Sequence, residues 1–324
     1  MTGRQVAAFA AITIIWGSTW IVTRDQLGTV PALWSITYRL VVAAALIFAA
    51  GAILRIPLTL PASAHFGALA FGILQFVLNL DATYAAAAFI PSGLVAIVFA
   101  TLVIPNSLFA WLLLRQPLSR QFLAGSTLAV TGIAFLILNE ALISQPGTGN
   151  LGYGIVLAVL GVLCASAANL LNASKLLREL PLLPTLAWAL LYSVLLSLGL
   201  AWFSEGPPVF DLEPRYSMGV VYLGGGATAL AFALFYQLLR EMGPARAAYT
   251  NVLFPIIAMG LSTIFEDYRW SAASVAGAIL ALTGLVVALR SRFTVNPRAS
   301  PKPASQLGMQ LPIGTAAAGG GSEA

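Results

Sequence analysis

The sequence predicts an all-α polytopic membrane protein: ten transmembrane helices arranged as two inverted five-helix repeats. Three observations predict it: composition, a regular succession of apolar windows, and landmarks that recur halfway along the chain. Fifty-nine per cent of the 324 residues are apolar and only 8% are charged, against about 25% charged in soluble domains. So few charges cannot cover a surface facing water, whereas lipid tolerates them.

A spanning helix needs about 20 mostly apolar residues. The first such window, 5–23, follows Arg4. Its apolar run is too long for a secretory leader, and Trp16, Gly17, Ser18 and Trp20 make a poor cleavage region. Leu-Gly-Thr-Val-Pro at 27–31 turns the chain into the second span, 30–53. The third and fourth, 64–88 and 92–114, are separated only by Phe89, Ile90 and Pro91. Gln116-Pro117 precedes the fifth, 119–139, and Gln-Pro-Gly-Thr-Gly at 145–149 precedes the sixth, 151–174. The seventh, 183–204, ends before Gly206-Pro207-Pro208, and the eighth covers 216–240. Gly243-Pro244 leads into the ninth, 245–265, and the tenth is 270–290. Residues 292–324 hold no span and are rich in Pro, Ala, Gly and Ser, which predicts a disordered cytoplasmic tail.

Basic residues set the orientation. With a cytoplasmic N-terminus, that side carries Arg4, Arg55, Arg115, Arg120, Lys175, Arg178, Arg240, Arg246, Arg290, Arg292, Arg298 and Lys302. The other side carries Arg24, Arg215 and Arg269, and Arg39 inside the second span completes the sixteen. Twelve against three places both termini in the cytoplasm. The same scatter argues against a nucleic-acid partner, which would call for a basic cluster. Cys164 is the sole cysteine and His65 the sole histidine, so internal disulfides, Ser–His triads and most zinc sites are excluded. Neither a metal nor a cofactor is expected, and the chain is read as no enzyme.

The halves are related. Residues 124–132, Ala-Gly-Ser-Thr-Leu-Ala-Val-Thr-Gly, match 276–284, Ala-Gly-Ala-Ile-Leu-Ala-Leu-Thr-Gly, at six of nine positions. At nearly the same offset Tyr84 answers Tyr236, and Pro91 answers Pro244. The boundaries are 1–139 for the first repeat and 150–291 for the second. An odd number of spans per repeat inverts one against the other, the plan of secondary transporters with a site near the midplane.

These residues resemble the drug/metabolite transporter superfamily, EamA branch, over about residues 5–290. The most specific part is 228–284: Thr228-Ala-Leu-Ala-Phe232, Tyr236, Gly243-Pro244-Ala245, Pro255, Glu266 and the pair Gly277/Gly284. Trp16-Gly17-Ser18, Pro31 and Arg39 are similar to that family's opening helices. Arg115-Gln116-Pro117-Leu118 stands where the family usually carries a glutamate, and Asp81 departs from its third span. The resemblance implies export of amino acids, related metabolites or drugs across a bacterial inner membrane without ATP. The expected partners are a small-molecule solute and the bilayer, and a monomer suffices.

The expected pathway residues are Trp16, Ser18, Arg39, Asn79, Asp81, Tyr84, Ser166, Asn169, Asn172, Tyr236 and Tyr249, with Pro105 and Pro255 as helix-break or gating positions. Arg39 and Asp81 are the ionisable residues deepest in spans and lie at similar depth, so a fixed pair is expected, with a substrate- or proton-linked role, or Arg39 reaching towards headgroups, as the alternatives. Ser166, Asn169 and Asn172 share one helix face. Gln75, Asn79 and Thr83 form a stripe roughly opposite Asp81 and Tyr84, so at most one of these faces lines a cavity fully. Trp20, Tyr268 and Trp270 fit an interfacial belt. Prolines inside spans free a backbone carbonyl and can kink a helix at a gate. Amide and aromatic groups suit neutral or zwitterionic solutes. An importer or multidrug exporter of the same fold, and a non-transporting sensor or scaffold, stay open; solute flux in proteoliposomes separates the last from the rest.

Overall fold

The computed structural model describes residues 2–28, 30–115, 117–143, 150–235, 237–238 and 250–291. Among the described residues ten helices follow one another: α1 (Gly3–Asp25), α2 (Ala32–Ile53), α3 (Ala62–Ala87), α4 (Ser92–Leu113) and α5 (Arg120–Ile143), then α6 (Leu151–Ala173), α7 (Leu182–Glu205), α8 (Pro214–Phe235), α9 (Thr250–Phe265) and α10 (Ala272–Ser291). Among the described residues there is no strand. Nine of these helices are long and apolar enough to cross a membrane; α9 is apolar and its described part is 16 residues. The predicted tail and residues 239–249, which hold the end of the eighth predicted span and the start of the ninth, lie outside the described residues.

Prolines start the helices. Pro31, Pro61, Pro91 and Pro181 each occupy the position just before a first helical residue, with φ between −55° and −62°. The ring fixes that φ and lacks the N–H that a helix start would leave unpaired. Proline also brings no side-chain acceptor for the first-turn amides, and at α2 and α4 a carboxylate at the C-terminal end of another helix supplies it. Glu205 accepts from Leu33 N at 3.1 Å and Trp34 N at 3.2 Å. Glu266 accepts from Ser92 N at 3.1 Å and Ser92 Oγ at 2.7 Å.

The interior proline of α4 acts one turn upstream of itself. The helix is interrupted at Thr101–Leu102 and restarts at Val103, so Pro105 sits in the first turn of the new segment. Its ring cannot be accommodated against the carbonyl of Thr101, four residues back. Pro255 lies inside α9, which continues through it. Residues Ile73–Leu78 of α3 and Tyr222–Leu230 of α8 are wound as π-helix, the third helix in each half of the chain.

Two buried clusters organise the bundle. One gathers Leu40, Phe76, Tyr84, Leu190 and Leu223 from α2, α3, α7 and α8. The other gathers Ile90, Leu94, Phe99, Leu136 and Met259, around α4, α5 and α9. Both mix the two halves, which interlock and form no separate lobes. Against the second cluster α5 and α10 cross at backbone contact. A Cβ on Gly125 would lie 2.7 Å from Gly284 O, and one on Gly132 would lie 2.6 Å from Gly277 O. Position rises along one helix as it falls along the other, so the two run antiparallel. Only glycine permits this approach. Large apolar side chains such as Phe203, 90% exposed, and Leu113, 67% exposed, cover the outside, as expected where lipid is the solvent.

Candidate functional site

Between the two clusters, beside α1, lies a cavity of about 580 Å³, within the roughly 300–1,000 Å³ of small-molecule sites. The π-wound segments supply part of its wall, Gln75 and Phe76 from α3 and Ala227 and Thr228 from α8. A π turn shifts the residues after it round the helix axis and recurs at functional sites. Here it lets α8 press against α2: a Cβ on Gly224 would fall 2.6 Å from Arg39 O. Thr228 then meets the Arg39 side chain, which donates from Nε to Thr228 Oγ1 at 2.9 Å.

Aromatic side chains make the apolar wall. Trp16 packs its ring 5.0 Å from Phe235 and 5.5 Å from Phe232, and its indole donates to Ala227 O at 3.2 Å. Trp20 lies 4.7 Å from Phe99 and 6.1 Å from Phe254. The polar lining has six amides, Gln75, Asn79, Asn106, Asn169, Asn172 and Asn251, beside five threonines. Arg39 and Arg178 are the charged residues of the lining, and among the described residues no carboxylate lines it.

Among the described residues, the cavity reaches the surface at one end. Arg178, in the α6/α7 connection, belongs to the lining and is exposed. No described residue of the connections at the opposite end, 26–31, 88–91, 206–213 or 266–271, lines it. That end is closed by polar bonds between helices. Arg24 at the end of α1 donates through Nη1 to Ala87 O and Ile90 O, both at 2.7 Å. Its Nε pairs with Glu266 at 3.1 Å, and Glu266 in turn holds Ser92 and accepts from Ser262 Oγ. Tyr84 OH donates to Gln26 Oε1 at 2.9 Å, and Ser35 Oγ and Tyr216 OH share a bond of 2.8 Å. Arg215 pairs with Asp25, with Nε 2.8 Å from Oδ2.

The sequence-predicted residues divide between wall and frame. Trp16, Arg39, Asn79, Asn169 and Asn172 line the cavity. Tyr84 is fully buried and belongs to the closed end. Ser18 bonds Ile14 O at 2.7 Å and Tyr222 OH at 2.6 Å, joining α1 to α8 outside the lining. Ser166 is fully buried next to the lining residue Ala165, with no partner for Oγ among the described atoms. Tyr236 and Tyr249 lie outside the described residues.

Two expectations are corrected. The Arg39–Asp81 pair is not formed: the ion pairs among the described residues are Arg24–Glu266, Arg178–Glu179 and Arg215–Asp25. Asp81 is exposed and falls on the outward stripe of α3 with Leu78 and Ala88. Equal depth says nothing of direction around the helix axis, and the inward arc belongs to Asn79, Leu80, Thr83 and Tyr84. Trp20, read as belt, is in the cavity wall. Its place one turn after Trp16 on α1 was the available signal. Thr19, Asn106 and Asn251 escaped the sequence reading because one polar residue in an apolar run carries no direction.

Fold and cavity together define a class: a polytopic helical membrane protein with a solute-sized chamber between helices, closed at one end and open at the other among the described residues. The model of the EamA-like transporter family matches residues 4–138 and again 152–290, and the chain belongs to that family. It is a membrane transporter. Protein PagO of Salmonella typhimurium is 23% identical over 281 residues, covering 87% of this chain and 90% of that one. A probable amino-acid metabolite efflux pump of the same organism is 23% identical, over 85% and 91%. Protein PecM of Dickeya dadantii is 26% identical, over 84% and 88%. A solved crystal structure of 20% identity superposes with a TM-score of 0.65 over 89% of this chain and 98% of its own, which shows the shared fold.

Proposed function

We propose that this chain exports small organic solutes, amino acids or related metabolites, across a bacterial inner membrane by alternating access. The observation that carries the reading is the cavity of about 580 Å³, open at one end and latched at the other. The open end is the one bearing Arg55, Arg115, Arg120, Lys175 and Arg178, so the excess of basic residues assigns it to the cytoplasm. A cavity loaded from the cytoplasm suits export. The name of one relative, a probable amino-acid metabolite efflux pump, agrees in solute class and direction.

Two inverted halves, 1–139 and 150–291, would supply the rocking elements. Support comes from the reciprocal crossing of α5 and α10. Gly125 answers Gly277 in the repeat and Gly132 answers Gly284, while the contacts run Gly125 to Gly284 and Gly132 to Gly277. A two-fold axis between antiparallel helices produces that exchange. The π segment in the third helix of each half fits the same relation. The test is flux in proteoliposomes loaded with pooled amino acids and metabolites, with and without a proton gradient. Counterflow of at least one pool above empty liposomes is expected, and a folded protein that moves none of them refutes the reading.

A further inference from the structure

We propose that Arg39 is the anchor for a carboxylate on the transported solute, and that the solutes are small carboxylic acids with an apolar, preferably aromatic, body. The inference deepens the transport reading above and rests on it for the word transported alone.

Arg39 is 4% exposed and borders the cavity from inside α2. An arginine does not give up its proton in a protein, so the charge is permanent. Burying it among neutral groups is unfavourable unless something compensates. Its neighbours are neutral: Thr228, which accepts from Nε at 2.9 Å, and the Tyr84 phenol beside the guanidinium. Thr228 spends its own hydroxyl proton on Leu223 O at 2.9 Å, and Tyr84 spends its proton on Gln26. Both are therefore oriented as acceptors towards the arginine and hold it without neutralising it. Five N–H donors fan from a guanidinium, and two neutral oxygens do not use them up.

No described carboxylate pairs with Arg39 or lines the cavity, and the other charged lining residue, Arg178, is also cationic. Arg178 pairs with Glu179 at the mouth, so with Asp81 on the outward face the charge left uncompensated among the described residues is that of Arg39. A carboxylate takes the guanidinium bidentately in the geometry that suits both best. The wall offers a second unspent donor, since Trp20 Nε1 is buried with no partner among the described residues. Trp16 and Trp20, with the phenylalanines packed on them, then provide an apolar lining for the rest of the solute. Such charge-assisted bonds are made only where the acid, not its amide, is present.

The test compares 3-phenylpropionate, its amide 3-phenylpropanamide, phenethylamine and sodium chloride as ligands of the purified full-length protein, by calorimetry in a Hepes buffer free of carboxylate and of added chloride. The acid is expected to bind about ten- to a hundredfold more tightly than the amide or the amine. Arg39→Gln should bring acid and amide within about threefold of each other, and Arg39→Lys should keep a reduced preference for the acid. Thermal melting of each variant separates lost binding from lost folding. Should both variants fail to fold, the preference of the unmodified protein decides. Equal binding of acid and amide overturns the anchor, as does a folded Arg39→Gln that keeps the preference. Failure of all three organic probes to bind overturns it too, as does chloride binding as tightly as the acid. Flux separates the two readings. If the acid binds through Arg39 and nothing crosses a liposome membrane, transport falls and the anchor stands. If solutes cross without preference for the acid, the anchor falls and transport stands.

Discussion

Replacing Glu266 by alanine should open the closed end. The Glu266 side chain is 11% exposed and accepts from Ser92 N at 3.1 Å and Ser92 Oγ at 2.7 Å, with Ser92 itself 1% exposed. It also receives Arg24 Nε at 3.1 Å, but Arg24 is 39% exposed, so that pair contributes little beyond geometry. Hydrogen bonds to a charged group contribute about 1.5–3 kcal/mol each, and the two to Ser92 are not additive. With water taking part of the vacated space, a loss of about 3 kcal/mol of closed-state stability is expected, roughly a hundredfold in the open-to-closed ratio. The assay is thiol labelling. Thr23 is 1% exposed and lies where the cavity meets the closed end, so Thr23→Cys in a Cys164→Ala background reports opening there. An impermeant maleimide applied from the closed side should label it about ten- to a hundredfold faster once Glu266→Ala is added. Unchanged labelling in a variant that melts with its parent would refute the latch.

Sidedness predicts that, in the same Cys164→Ala background, Gly147→Cys reacts with an impermeant reagent outside the cell and Ser119→Cys does not; the reverse pattern overturns the orientation. Asp81→Asn should express and melt like the parent or slightly better, because the exposed carboxylate has no ion-pair partner among the described residues and its removal lightens an outward face; a large loss of stability would restore the buried pair. At the α5/α10 crossing, Gly132→Val places a branched side chain where a Cβ alone would lie 2.6 Å from Gly277 O. The cost is several kcal/mol, of the order of overpacking (about 1–3 kcal/mol) or above, visible as lost monodispersity on gel filtration, whereas Gly199→Ala, with nothing within 4 Å of its Cβ, should be silent.

What the sequence determined by itself is everything that depends on position along a membrane normal. Apolar length decides that a helix crosses lipid, so the ten windows fall on the ten helices wherever residues are described. Proline placed at 31, 61, 91 and 181 marks helix starts because φ is fixed locally, without reference to any neighbour. The repeat between 124–132 and 276–284 is visible because small residues are demanded at a backbone contact, whichever helix answers.

Tertiary structure decided what depends on azimuth and on partners. Asp81 and Arg39 share a depth, yet the packing of α3 turns Asp81 outwards and leaves Arg39 facing Thr228 across the bundle, 189 residues away in sequence. Trp16 and Trp20 look alike in sequence to any interfacial tryptophan, and only the positions of Phe232, Phe235, Phe99 and Phe254 make them a wall. Glu205 and Glu266 look like loop acids until the proline-started helices they cap are brought beside them. An apolar sequence specifies how deep each residue sits through one-body transfer energies; which residues meet is a many-body outcome of packing, and no single helix encodes it.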